Sequence, residues 1–449
     1  MVKTKHLTPF QILLAILAVS VILRLGIAAY YGNWIPPRQD DQSYSLLAQR
    51  LAEGYGYSFG QPWYPFTPAN TPTAHWSFLY VAFLAGVYRV VGVVPLVAKI
   101  IGAILGGLLL PYLLYKLALR IRPGDFRLAL LSAACGALYA YFVLFSARLM
   151  TETFYIIAVL WSLERALTLE QSLRRGEPVR PVLAVTLGIS LGLATLLRQS
   201  ILPWVPVMSL YLLWVGYRQR RLGRAFLALA GAGVVVALFI LPFTVRNYLV
   251  YDDFLLLNSN AGYAMYSAQH PLHGTSFQAY LAAPLPDDLN PQPQNEAQWD
   301  RALMARGLQF IVDDPGRYLL LSLSRVADYF EAWPTSDSSL LFNVGRLLSF
   351  TLFLPFMLYG LYLSLRPSQL TIDNSSLTID RSSFALLYLF IAFYSLLHIM
   401  TWAMTRYRLP VDAVLLVFAA LGIGDLMDRL AARRRAGHPR MPQAPRIHE

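Results

Sequence analysis

Two adjacent acids, Asp40 and Asp41, occur in "NWIPPRQDDQSYSLLAQRLAEGYGYSF", and a third, Glu152, in "SARLMTETFY"; each follows shortly after a long apolar run. A carboxylate held within hydrogen-bond reach of a hydroxyl can take its proton as the oxygen attacks, which is the work of a general base. Arg148, Arg198, Arg246, Arg406 and Arg408 also stand at the ends of apolar runs. Guanidinium groups suit phosphate, which they grip through two parallel N–H bonds. Together the two sets fit transfer of a group from a phosphate leaving group to an acceptor hydroxyl. Each residue also has a structural reading. Asp40 or Asp41 caps the following helix, Glu152 benefits from a helix N-terminal dipole, and a lone arginine snorkels to headgroups.

What positions these residues is a membrane. The chain has 449 residues, of which 56% are hydrophobic and 14% charged, well under the roughly 25% charged of soluble domains. Apolar runs of about 20 residues, the length needed to cross a bilayer, recur along the sequence. The fold class expected is an all-α polytopic integral membrane protein. The net charge of +12 sits mostly in short loops, where it sets topology, so nucleic acid is not an expected partner. The single cysteine, Cys135, excludes a disulfide framework. No nucleotide-binding glycine motif, heptad or internal repeat is visible.

Threading by the positive-inside rule starts from Lys3 and Lys5, which place the N-terminus in the cytoplasm. Spans are expected at residues 7–30, 95–119, 128–145, 153–169, 182–197, 201–217, 225–245, 340–365, 384–401 and 409–427, about ten in all. The stretch 75–92 is short, aromatic-rich and carries Arg89, so it reads as an interfacial helix. The organisation expected is residues 1–249 as an N-terminal module containing a first outer loop at 32–94, then 250–337 as an outer segment, 338–430 as C-terminal spans, and 431–449 as a disordered cytoplasmic tail. The helix after Asp41 is expected over 42–52. One or two amphipathic helices are expected in "QNEAQWDRALMARGLQFIVDDPGRYLLLSLSRVADYF", with Trp299, Tyr318, Tyr329 and Trp333 as an interfacial belt. All three acids and all five arginines then fall on the outer face.

These segments resemble a known family. "DDQSYSLLAQRLAEGYGY" is similar to the first outer loop of GT-C glycosyltransferases of the bacterial protein O-mannosyltransferase and aminoarabinose transferase type. "PTAHWSFLYVAFLAGVYRVVG" resembles that family's Pro-Thr-Ala segment and juxtamembrane helix, with Ser77 and Phe78 where prolines are usual. "ARLMTET" resembles the second outer loop, with Glu152 in place of the commoner Asp. "PFTVRNYLVYDDFLLLNSNAGYAMYSAQHP" and "RYRLPVDAVLLVFAALGI" resemble later segments, in order, so the likeness runs from Asp40 to Gly422. It implies a GT-C fold, a polyprenyl-phosphate sugar donor, and a site open to the periplasm of a bacterial inner membrane. Asp40 matches the catalytic acid, taken as the general base; Asp41 supports it or binds the acceptor, and Glu152 is the third catalytic candidate. Arg406, Arg408, Arg198 and Arg246 are the expected donor-phosphate ligands, and Tyr44, Tyr407, Asn260 and His75 the expected substrate contacts. In an extended "TRYRLP", Arg406 and Arg408 would face one phosphate. No cofactor is required by the chemistry; a divalent metal at the first outer loop, near His75, is left open. The partners expected are the lipid-linked donor, membrane lipids, and a glycan, lipid or protein acceptor.

The competing reading is a lipid-linked saccharide flippase or other transporter. Such a protein carries charge at mid-membrane along its pathway, and mid-span charge looks scarce here, with Lys99 and Glu164 near span ends.

Overall fold

A computed structural model gives the architecture. It describes residues 7–436 except 38, 64, 280, 337, 367–368, 373–374 and 379–383. The chain is helical almost throughout, with one two-stranded antiparallel hairpin, β1 (Gln369–Ile372) and β2 (Ser375–Thr378). Ten helical elements follow the expected spans. Among the described residues, six are both long and apolar enough to cross a bilayer. They are α1 (Pro9–Tyr31), α4 (Pro95–Ile121), α9 (Trp204–Arg218) with the 3-10 turn before it, α10 (Leu222–Tyr251), α14–α15 (Leu340–Arg346 and Leu352–Leu365, joined by a π-helical turn), and α17 (Leu409–Ala436). The other expected spans are less simple. α8 (Pro181–Leu197) and α16 (Ala385–Met400) are apolar but short, and α7 (Glu152–Arg175) carries Glu164, Arg165, Glu170 and Arg174 in its second half.

The span expected at 128–145 is broken. α5 (Phe126–Leu138) and α6 (Ala140–Ser146) meet at an angle of 55°. The break strands carbonyls at the end of α5, and an unpaired carbonyl in hydrocarbon costs several kcal/mol by order of magnitude. Arg24 of α1, fully buried, resolves this by donating to Gly136 O and Ala137 O, both at 3.2 Å. The break aims α6 and the following turn toward the loop after α1. It also shows that buried span charge is less scarce than the sequence suggested. Arg24 and Asp412 lie inside spans and are fully buried, but each serves a protein partner.

α3 (Phe78–Val91) has 14 residues, about 21 Å at 1.5 Å per residue, short of a hydrocarbon core of about 30 Å. Its buried face packs on α2 (Asp40–Glu53), where Ser45 and Tyr88 hydroxyls meet at 2.8 Å. Helix α2 begins at Asp40 and not at residue 42. Its last carbonyls are closed by Gly54 in the left-handed conformation. Of the six candidate spans α17 is the most enclosed, buried continuously from Leu409 to Leu421. It crosses α15 backbone to backbone at Gly360, where a Cβ would overlap the Phe418 carbonyl. α17 continues to Ala436, so residues 431–436 of the expected tail are helical; 437–449 lie outside the described residues.

The outer segment folds as α11 (Asn260–Gln269), α12 (Glu296–Asp313) and α13 (Pro315–Tyr329). α13 leaves Leu319, Leu320 and Leu323 exposed. The aromatic belt expected here is only partial. Trp333 is exposed, but Tyr329 is fully buried and Trp299 stacks on Phe66 at 5.8 Å. Aromatic residues at an interface and in a core look alike in sequence.

Candidate active site

The ends of α1, α6, α8 and α16, the start of α2, the turn before α17 and the outer segment line one cavity of about 2450 Å³. Asp40, Asp41, Tyr44, His75, Arg148, Arg198, Asn260, Arg406 and Tyr407 line it. Arg246, Arg408 and Glu152 do not contribute to that lining.

The two adjacent acids part company. Both sit in the first turn of α2, where the helix dipole favours a negative charge, and Gln39 is the N-cap. Asp41 is 1% exposed; its two oxygens take Arg148 Nε at 2.7 Å and Nη2 at 2.5 Å, and Leu149 N–H adds a third bond at 3.0 Å. This carboxylate is used up in fixing α2 to the turn after α6. Asp40 keeps 30% of its side chain exposed and meets one cation, Arg406 Nη1, at 2.6 Å. Burial alone would raise the Asp40 carboxyl. The Arg406 charge and hydrogen bond, with help from Arg198 and His75, outweigh this and hold it below the usual carboxylate range.

Glu152 opens α7 and pairs with Arg198, whose Nε also donates to Thr151 Oγ1 at 2.7 Å. Each expected acid therefore has one expected arginine: Asp40 with Arg406, Asp41 with Arg148, Glu152 with Arg198. Glu152 is buried and reaches the cavity only through its ion pair with Arg198. Tyr407 lies under two of the cavity arginines, its ring centre 5.5 Å from the Arg198 guanidinium and 5.3 Å from that of Arg406. Arg406 Nε, buried, has no hydrogen-bond partner among the described residues.

Two expected phosphate ligands lie elsewhere. Residues 405–408 form a 3-10 turn and not an extended stretch, so Arg406 and Arg408 diverge. Arg408 is 0% exposed, pairs with Asp412 at 2.9 Å, donates to Tyr329 O at 2.5 Å and covers the Phe350 ring. Arg246 donates to Thr73 O at 2.8 Å and Asn247 Oδ1 at 2.9 Å, tying α10 to the first loop. Neither guanidinium faces the cavity. Both were grouped with Arg406 because sequence places them at the same membrane level but does not tell which way they turn.

Tyr44 stacks on Trp76 with ring centres 4.7 Å apart. Burial keeps its phenol well above the ordinary range, so it is a hydrogen-bonding group and not a base. His75 is 6% exposed, lies edge-on to Trp76 at 4.6 Å, and leaves Nδ1 unpartnered. Burial pushes it down to about 4, against the pull of Glu296 and Asp40, so it is neutral at physiological pH. Among the described residues no three of His, Cys, Asp and Glu come together in a metal-holding group. The cation seated on Asp40 is Arg406, and Asp41 has no free oxygen, so the donor set for a divalent metal at the first loop is not assembled.

Sequence reasoning missed Trp76, Asn258, Asp300 and the pair His398 and Trp402, all of which line the cavity. It also missed Glu296, a buried hub described below. None carries a local signal; their positions depend on how the outer segment folds back on the first loop.

No protein-family model matches the chain, and no curated protein matches it by sequence. Solved structures do match in fold. The archaeal oligosaccharyltransferase AglB from Archaeoglobus fulgidus, in complex with an inhibitory peptide and a dolichol-phosphate, superposes with a TM-score of 0.56 at 16% identity over 96% of this chain and 52% of that one. The same oligosaccharyltransferase in its apo form gives 0.56 and 16% over 96% and 53%. ArnT from Cupriavidus metallidurans, bound to undecaprenyl phosphate, gives 0.41 and 14% over 96% and 81%. The chain spans about half the length of the archaeal oligosaccharyltransferases it matches. It is a multi-pass helical membrane protein that shares its fold with these archaeal oligosaccharyltransferases.

Proposed function

We propose that this chain is a membrane glycosyltransferase that moves a sugar from a polyprenyl-phosphate-linked donor to an acceptor hydroxyl. The observation that carries the reading is the Asp40–Arg406 pair on the cavity wall. It puts a partly exposed carboxylate beside a guanidinium with spare donor capacity, and Arg198 adds a second cation over the shared Tyr407 ring.

The roles follow from charge. The donor phosphate engages Arg406 and Arg198, whose planar forks match its oxygens. Phosphate competes with Asp40 for Arg406, which loosens the ion pair and makes the carboxylate a better base when the donor is bound. Asp40 accepts the acceptor hydroxyl proton as the oxygen forms its bond to the anomeric carbon. The bond from that carbon to the phosphate oxygen breaks on the opposite face, so configuration inverts. The polyprenyl phosphate departs as an anion stabilised by the same arginines. The reading is supported by the shared fold and by the dolichol-phosphate held by the archaeal relative.

The cavity lies at the ends of the spans away from the Lys- and Arg-rich loops, which supports a site open to the periplasm of a bacterial inner membrane. A cysteine at the exposed Val93 tests the sidedness, since the native Cys135 is buried. It should react with an impermeant thiol reagent added from outside; labelling only from the inner face reverses the topology. Mass spectrometry of glycolipids and glycoproteins in a strain lacking the chain, complemented with wild type or Asp40→Asn, tests the activity. A glycan lost on deletion, restored by wild type and not by the variant is expected. An unchanged glycan profile in the deletion, or restoration by the variant, would sink the transferase mechanism.

A further inference from the structure

One wall of the cavity is polar in a way that neither the base nor the phosphate ligands use. It is assembled by Glu296, at the start of α12. Its carboxylate accepts from Thr67 and Thr73 hydroxyls at 2.6 Å each, and from Ala74 N–H and the Ser259 hydroxyl at 2.7 Å each. Ser259 N–H in turn bonds Ala74 O at 2.9 Å. His75 and Asn260 are each the next residue along, so the two are brought together from segments far apart in sequence. One turn further on α12, Asp300 Oδ1 accepts Gly262 N–H at 2.6 Å. The approach is so close there that a Cβ on Gly262 would overlap the Asp300 backbone.

The groups left over belong to residues that line the cavity. Asp300 Oδ2 and Asn260 Nδ2 make no hydrogen bond to any described residue, and His75 Nδ1, in a side chain more than nine-tenths buried, has none either. Asp300 is half-buried, and burial pushes its carboxyl up to about 6; at neutral pH it is an anion short of donors. Beside these groups stands an aromatic face, Trp76 on Tyr44, at right angles to His75. A carboxylate acceptor, an amide donor and an imidazole next to a flat aromatic face complement a sugar ring, which has hydroxyls on its edge and C–H groups on its faces. The wall adjoins the reaction centre, because His75 and Trp76 line the same cavity as Asp40 and Trp76 stacks on Tyr44, one turn along α2 from Asp40.

We infer that Asp300, Asn260 and His75 form the subsite that reads the hydroxyls of the donor's sugar ring, with Trp76 as its platform. The inference rests on the glycosyltransferase reading and names the part of that site that sets sugar specificity. Arg406 and Arg198 hold the phosphate; this wall holds what the phosphate carries.

The experiment compares two kinds of probe on the purified full chain: farnesyl phosphate, and farnesyl phosphate bearing glucose, mannose, galactose or arabinose. Wild type should bind at least one sugar-bearing probe more tightly than the bare phosphate. Asp300→Asn keeps a carbonyl oxygen for Gly262 N–H, so the fold is preserved. It should cut affinity for that probe by about 10-fold or more, the scale of a hydrogen bond to a charged group, and leave farnesyl phosphate unchanged. Asn260→Ala should act in the same direction. A wild type that binds bare phosphate but gains nothing from any sugar overturns the subsite while sparing the phosphate site. So does an Asp300→Asn protein that retains the full sugar preference, which would leave the wall to the acceptor. Failure of wild type to bind any of the probes removes the transferase reading itself.

Discussion

Asp41 and Arg148 meet through both carboxylate oxygens and two guanidinium nitrogens, at 2.7 and 2.5 Å, with almost no solvent around them. This pair commits one of the two adjacent acids to holding α2 against the turn after α6. Asp41 spends three of its roughly four acceptor sites on a bidentate partner and a backbone N–H. Its neighbour, turned about 100° around the helix, has only Arg406.

The two acids should therefore respond differently to the same change. Asp40→Asn should reduce transfer by about 100- to 10,000-fold, the usual cost of losing a general base, with the melting temperature in detergent little altered. Asp41→Asn leaves Arg148 buried without its counter-charge and should cost about 3–5 kcal/mol of stability, the scale for breaking a buried pair. Differential scanning fluorimetry beside a turnover assay separates them. An Asp41→Asn protein that melts like wild type yet is inactive would exchange the two roles.

How much of this could be read in the sequence is clear from particular residues. The apolar runs located helical elements at each expected span, six of them long and apolar enough to cross a bilayer among the described residues, because hydropathy is a local property. The acids and arginines of the site were also visible, since charge at the outer end of an apolar run is unusual wherever it occurs. Orientation was not visible. Arg406 and Arg408 share a segment, and only a 3-10 turn in place of an extended strand sends one to the cavity and the other to Asp412. The break between α5 and α6 was hidden too, because its partner, Arg24, is 113 residues from Ala137. Asp300 and Glu296 had no signal, as their contacts are made by loops more than 30 residues distant in the chain.

The divergence of the two arginines gives a second prediction. Arg406→Ala should weaken binding of a short-chain polyprenyl phosphate by about 1.5–3 kcal/mol, the worth of a charge-assisted hydrogen bond. Arg408→Ala should leave that affinity unchanged and lower the melting temperature, because Asp412 would be left buried without its cation. Isothermal titration on both variants decides; equal losses of affinity would return Arg408 to the phosphate site.

Acid dependence follows from the cause of the Asp40 shift. Arg406, assisted by Arg198 and His75, holds the free-enzyme carboxyl below its ordinary range. The ionised base is thus present above that lowered value and lost only as pH falls through it. The acid limb of kcat/KM, which reports the free enzyme, should lie below the usual range for aspartate. Arg406→Gln removes the main opposing charge and leaves burial to act, so residual activity should show an acid limb moved to higher pH. A limb that stays in place would mean that another group sets it.

Glu296 supplies the last prediction. It is 3% exposed, and no cation pairs with it among the described residues. Its charge is spread instead over three hydroxyls and a backbone N–H, with the Tyr251 hydroxyl more distant at 3.4 Å. Glu296→Gln keeps one oxygen, enough for Thr67 and Thr73, but turns an N–H₂ toward Ala74 N–H. Two donors then face each other, and the hydroxyls of Ser259 and Tyr251 can rotate to relieve their own conflict while the backbone cannot. The stability loss should be about 1–3 kcal/mol, the cost of an unsatisfied buried donor. Glu296→Ala strands every partner at once and should cost more. The damage should be local to the contact between the first loop and α12: hydrogen exchange at Ala74 should rise strongly, while amides in the buried part of α17 stay protected. Uniform loss of protection along the chain would show that Glu296 stabilises the whole bundle and not the wall that presents His75 and Asn260.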